Sequence, residues 1–230
     1  MSSRARSRIA GVISVFGELL ITAGVVLGLF VVYSLWWTNV LADREASRQS
    51  ERMRDGWAED GGAGGPGALD TKDGIGFLHV PAMGDDEVLV KKGTEPKDLN
   101  DGIAGYYTKP IKSALPWNAK GNFTLAAHRD GHGAKFHNIH KIKEGDPIVF
   151  ETRDTWYVYK VYETLPETSK YNVNVLKPVP KQSGKTEAGR YITLTTCTPV
   201  FTSNYRYIVW GELVREVKVD RDRTKPAELR

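Results

Sequence analysis

A single thiol stands in this chain, Cys197, at the end of the run YITLTTC and directly before Thr198 and Pro199. One cysteine excludes an internal disulfide framework and a thiolate zinc cluster, so its chemistry is either packing or nucleophilic catalysis. Strand alternation sets Tyr191, Thr193, Thr195 and Cys197 on one face and Ile192, Leu194 and Thr196 on the other, with Pro199 ending the ladder. Arg206 follows nine residues later, opening YRYIVWGEL on the same face as Ile208 and Trp210. If the 199–205 connection doubles back, its guanidinium arrives beside the thiol, where it would lower the thiol pKa or bind an oxyanion. His128 ends the strand-like NFTLAAH. A cysteine nucleophile needs a proton-transfer partner near neutral pH, and imidazole is the usual one. His132, His137 and His140 lie close by, but their spacing matches no zinc pattern and no cysteine or carboxylate completes one, so no metal is expected.

The elements that must position these side chains are mostly strands. EVLV at 87–90, NFTLAA at 122–127, PIVFET at 147–152, TWYVYKVYET at 155–164, YITLTT at 191–196 and YRYIVWGELVREV at 205–217 are rich in β-branched and aromatic residues. Each is bounded by Gly, Pro, Asn or Asp. Helical signal is confined to short pieces near 97–101 and 136–142. At least six strands over roughly 140 residues predict a mainly β domain built as a closed or nearly closed barrel.

Around that domain lie appendages. Residues 19–37, LLITAGVVLGLFVVYSLWW, carry no charge and as a helix would cover roughly 28 Å, one hydrocarbon core. A transmembrane helix is expected over 12–38, with 1–11 as a short tail. The apolar run is too long, and the following Trp-Trp-Thr-Asn too bulky, for a cleaved signal peptide. Residues 39–75 read as a solvated helical stalk followed by a glycine-rich joint, GGAGGPG, the barrel as 76–218 and the charged 219–230 as a tail. The net charge of +4 is spread without a dense basic block, so nucleic acid is not the expected partner. Arginines flank the span on both sides, and charge counting leaves topology open.

LAAHRDGHGAKFHNIHKIKEGDPIVF at 125–150, TLTTCTP at 193–199 and Arg206 in NYRYIVWGEL together resemble the sortases, over roughly residues 76–217. The resemblance implies an eight-stranded barrel and a membrane-anchored cysteine transpeptidase of Gram-positive bacteria. Cys197 would attack the Thr-Gly amide of a sorting signal, His128 would protonate the departing amine, and Arg206 would hold substrate and oxyanion. An amine of a cell-wall peptide, on precursor or peptidoglycan, would resolve the thioacyl-enzyme, with no cofactor. The clients implied are surface proteins with C-terminal sorting signals, and the barrel lies outside with the N-terminus in the cytoplasm.

Within the family the chain looks most like class E, which prefers Leu-Ala-X-Thr-Gly. Tyr107 is the candidate tyrosine for accepting Ala at the second position, and Thr195 and Thr196 are candidate groove residues. Gly105-Tyr106-Tyr107 departs from the usual Gly-His-Tyr wording, and Ala127 replaces the common glycine before the histidine. The alternatives are another cell-wall cysteine enzyme, whether a papain-like peptidase or an L,D-transpeptidase, and a membrane-tethered binding barrel with an inert cysteine. A papain-like order would place Cys before His, and an L,D-transpeptidase would show His-Gly-Cys-Arg; neither occurs here.

Overall fold

A computed structural model describes residues 3–59 and 74–230, which fall into two compact units, 1–38 and 39–230. The first unit is α1 (Ser3–Val32) followed by a π-helical stretch, Tyr33–Trp37. Within α1, Gly11–Val32 has a mean hydropathy of 2.4 and no buried side chain, long and apolar enough to cross a membrane.

The second unit takes in helix α2 (Thr38–Glu59) from its second residue onward and continues as eight strands: β1 (Gly76–His79), β2 (Glu87–Lys92), β3 (Ala104–Tyr106), β4 (Gly121–Ala126), β5 (Pro147–Glu151), β6 (Thr155–Ser169), β7 (Arg190–Thr198) and β8 (Tyr205–Lys218). They close in the order β1-β2-β3-β4-β7-β8-β6-β5, with β2/β3 and β4/β7 parallel and every other pair antiparallel. All six strands expected from composition are present. β1 and β3 were not expected, being too short for an alternation signal. Of the helical pieces, 97–101 becomes one turn, α3 (Pro96–Leu99), and 136–142 holds the 3-10 turn Ile139–Lys141.

The barrel interior follows the alternation of its strands. Leu78, Val88, Val90, Phe123, Leu125, Ile148, Phe150, Ile192, Leu194 and Val209 are all buried in one cluster. Burying such side chains contributes about 1.5–3 kcal/mol each, which is why the register is firmly set.

Two appendages differ from their sequence reading. The solvated stalk is instead packed: Ala42, Ala46, Gln49 and Met53, spaced 4, 3 and 4 apart, are buried. Ala46 and Met53, with Trp57, cover Phe77, Leu89 and Ile103 on the outer side of the barrel. Alanines made this stripe easy to miss among charges. The tail is also packed, Val219 and Leu229 lying against Val149, Trp156 and Val158. The glycine joint falls outside the described residues. Because α2 before it and β1 after it belong to one compact unit, α2 is not a free spacer ahead of the barrel.

Candidate active site

Three neighbouring strands bring the sequence candidates together. β4 runs parallel to β7 with Ala126 opposite Thr195, and β7 runs antiparallel to β8 with Cys197 opposite Arg206. Aligned residues of paired strands face the same side. His128 lies two residues past the end of β4, and carrying the β4/β7 register that far would align it with Cys197, next to the Cys197–Arg206 pair. All three are half-buried. Cys197 lies inside β7, one residue before its end.

The turns beyond the ladder are clamped residue by residue. The Ala127 amide donates to Thr195 O at 3.4 Å, and Thr196 Oγ1 donates to Ala127 O at 2.7 Å. Arg129, itself buried, donates through Nη1 to Thr198 Oγ1 at 2.8 Å and to Cys197 O at 3.3 Å. The residues on both sides of His128 are thereby tied to those on both sides of Cys197. Sequence reasoning missed Arg129 and Thr198, since nothing in their spacing announces the contact.

Nε2 of His128 lies 2.9 Å from Asn100 Oδ1, another partner the sequence did not reveal. An amide oxygen only accepts, so the neutral ring carries its proton on Nε2 and leaves Nδ1 as the base. Burial lowers the His128 pKa from its ordinary value, the adjacent His132 lowers it further, and Asp130 opposes both. The His128 and His132 ring centroids are 5.4 Å apart. Arg206 spends Nη1 on the carbonyls of Ser203 (3.1 Å) and Tyr205 (2.9 Å), so Nη2 and Nε remain for a ligand.

Tyr107 and Thr195 meet through their hydroxyls at 2.9 Å on the face that carries Cys197. Tyr107 packs with Val175, Leu176, Ile208 and Trp210, an apolar cluster on the outside of the sheet. Burial raises its phenol pKa, partly offset by the Thr195 hydrogen bond and the Arg206 charge. Thr196 is different. Alternation turns it to the opposite face from Cys197, where its hydroxyl holds Ala127 and so supports the β4 turn.

A cavity of about 650 Å³ that contains none of these side chains lies under α2, between Asp43, Glu51 and Arg54 and the barrel residues Glu87, Gly102 and Lys135. Among the described residues one group has metal-ligand spacing, His79, Glu87 and Glu151. Two guanidinium groups, Arg54 and Arg223, already fill the Glu151 carboxylate and would repel a cation.

The sortase domain family matches residues 78–214. Sortase SrtE2 of Streptomyces coelicolor is 72% identical over 96% of this chain and 89% of its own length. Sortase SrtE1 of the same organism is 47% identical over 99% of this chain, which spans 64% of that protein. The crystal structure of Sortase E1 from that organism, with a tripeptide in its active site, superposes with a TM-score of 0.63 at 50% identity, covering 67% of this chain and 94% of the other. A papain-like enzyme, an L,D-transpeptidase and an inert binding barrel are thereby set aside. With the eight-stranded barrel and this similarity together, the chain belongs to the sortase family of cysteine transpeptidases, in the neighbourhood of its class E members.

Proposed function

We propose that Cys197, His128 and Arg206 carry the transpeptidation and that its substrate is a Leu-Ala-X-Thr-Gly sorting signal cleaved between Thr and Gly. The Cys197 thiol gives its proton to Nδ1 of His128 as its sulfur attacks the threonine carbonyl carbon. The Arg206 fork accepts the developing oxyanion, and the glycine amine departs with a proton from His128. A thioester joins Cys197 to the threonine. The amine of a cell-wall peptide then attacks the same carbon and passes a proton to His128, the carbon–sulfur bond breaks as the new amide forms, and His128 returns the proton to the departing sulfur to regenerate the thiol. One amide replaces another, so no external energy source is required.

The observation that carries this reading is the direct pairing of Cys197 with Arg206 across β7 and β8, with His128 clamped alongside. The tripeptide held by the related E1 enzyme supports a peptide substrate. Tyr107, held by Thr195 beside the apolar cluster, is the side chain proposed to meet the second position of the signal, where an alanine methyl fits against an aromatic ring. We assign 1–11 to the cytoplasm, 12–38 to the bilayer and the barrel to the outside, where surface-protein clients and cell-wall amines are found.

The test uses full-length protein in detergent with Leu-Ala-X-Thr-Gly peptides. Wild type gains the mass of the acyl fragment and releases it to an added amine. Cys197→Ala gives no adduct and no cleavage with its fold intact. Arg206→Lys loses about 100-fold or more in kcat, because an ammonium lacks the planar fork. Full activity in either variant overturns the assignment.

A further inference from the structure

Two chain segments meet the His128 ring, one through Asn100 and one through His132, and both rest on α2. The first follows the catalytic candidate itself. Gly131 (φ 64°), His132 (φ 47°), Gly133 (φ 78°) and Ala134 (φ 40°) are four consecutive left-handed residues, two of them not glycine. Such a run is held only by its surroundings. Within the loop, Ala134 N donates to Gly131 O at 2.9 Å and Phe136 N to His128 O at 3.0 Å. From α2, Asn39 Oδ1 accepts the Gly133 amide at 2.9 Å and Asp43 pairs with Lys135 at 2.8 Å.

The second segment carries Asn100, the partner of the His128 ring. Its next residue, Asp101, accepts from the buried Gln49 of α2 at 2.9 Å, and Gln49 in turn accepts from Lys91 of β2 at 2.9 Å. Gly102 then passes so close to α2 that a Cβ there would sit 2.9 Å from Ala42 O. A Cβ on Gly133 would meet both Asp43 Oδ1 and Gly102 Cα at 3.1 Å. The two segments therefore touch each other beneath the first turns of α2.

We propose that α2 is a brace of the catalytic site, with Asn39, Asp43 and Gln49 as positioning residues that hold both segments against His128. The proposal rests on the reading of His128 as the proton-transfer group. It gives the helix that follows the apolar span a part in turnover. A strained loop released from Asn39 and Asp43 relaxes toward right-handed backbone, moving His132 and the carbonyl-anchored His128 out of line, and small misplacements of a reacting group are costly in rate.

The experiment uses full-length protein in detergent, a Leu-Ala-X-Thr-Gly peptide and hydrogen exchange. The Asn39→Ala/Asp43→Ala double variant is expected to lose about tenfold in kcat with KM within about twofold. Its amides at 131–136 exchange faster while those of β4, β7 and β8 do not. Asp43→Lys alone behaves likewise, and adding Lys135→Asp restores at least half of kcat, a rescue that general loss of stability would not give. Arg48→Ala, an exposed change on the same helix, leaves kcat unchanged. A half-exposed ion pair adds little to global stability, so the double variant stays folded, and Asn39→Ala alone serves if it does not. Wild-type kcat in the double variant, no rescue by the swapped pair, or unaltered exchange at 131–136 overturns the brace. His128→Ala separates the two readings: if it keeps full activity the catalytic role of His128 fails, whereas if it is inert and the double variant is fully active only the brace fails.

Discussion

Burial keeps the His128 ring below the ordinary histidine range, and His132 pushes the same way. The folded chain therefore binds a proton at this ring only at a pH lower than the unfolded chain does. Stability from this group is fully present above about 6.5 and declines as pH falls through the histidine range. In a histidine NMR titration, His128 should titrate below 6.5, and His132→Ala should move it upward; an unchanged value would remove His132 as a cause. Thr196 makes a second residue-scale case. Thr196→Val keeps the volume but leaves the Ala127 carbonyl without its donor, expected to cost about 1–3 kcal/mol in urea unfolding and to lower kcat through the His128 turn. Thr195→Val removes both the donor to the Leu125 carbonyl and the contact with Tyr107, so a loss of stability of similar size is expected together with an effect through Tyr107 on the choice at the second signal position.

At the scale of elements, one buried carboxylate fastens both ends of the catalytic unit to the barrel. Glu151 on β5 takes both guanidinium nitrogens of Arg54 from α2 at 2.9 Å, Arg223 from the C-terminal segment, and the His79 ring of β1 at 3.0 Å. Arg54 also reaches Glu87 of β2 at 2.7 Å, and Arg223 lies over the Trp57 ring of α2. Burial alone would raise the Glu151 pKa, but the Arg54 and His79 hydrogen bonds and the Arg54 charge hold it down at about 2. This contribution is present above about 4.5 and is lost as pH falls from there toward about 2. Glu151→Gln should destabilise the protein by about 3–5 kcal/mol, because it leaves two guanidinium groups without their carboxylate, and should flatten acid unfolding in that window. Equal stability in denaturant titration would mean that the arginines find other partners.

At the scale of the whole molecule, the compact unit that holds the candidate site begins at Asn39 and so includes α2. A fragment starting at residue 39 should melt roughly 10–20 °C above one starting at 74, since removing α2 uncovers Phe77, Leu89 and Ile103. Equal melting temperatures by calorimetry would make α2 dispensable to the fold.

The six longer strands, the apolar helix and the candidate trio were legible in the sequence, because each depends on local pattern: alternation, an uncharged run, a thiol and an arginine nine residues apart. The closure of eight strands came from family resemblance, since β1 and β3 are too short to show a period. The tertiary structure alone decided that α2 and the C-terminal segment pack, which partners the Thr195 and Thr196 hydroxyls take, and that Asn100 and Arg129 join the site. Those facts rest on contacts between residues 28 to 97 positions apart, such as Asn100 with His128 and Arg54 with Glu151. Periodicity reports which side of an element is apolar; only the closed chain determines what lies against it.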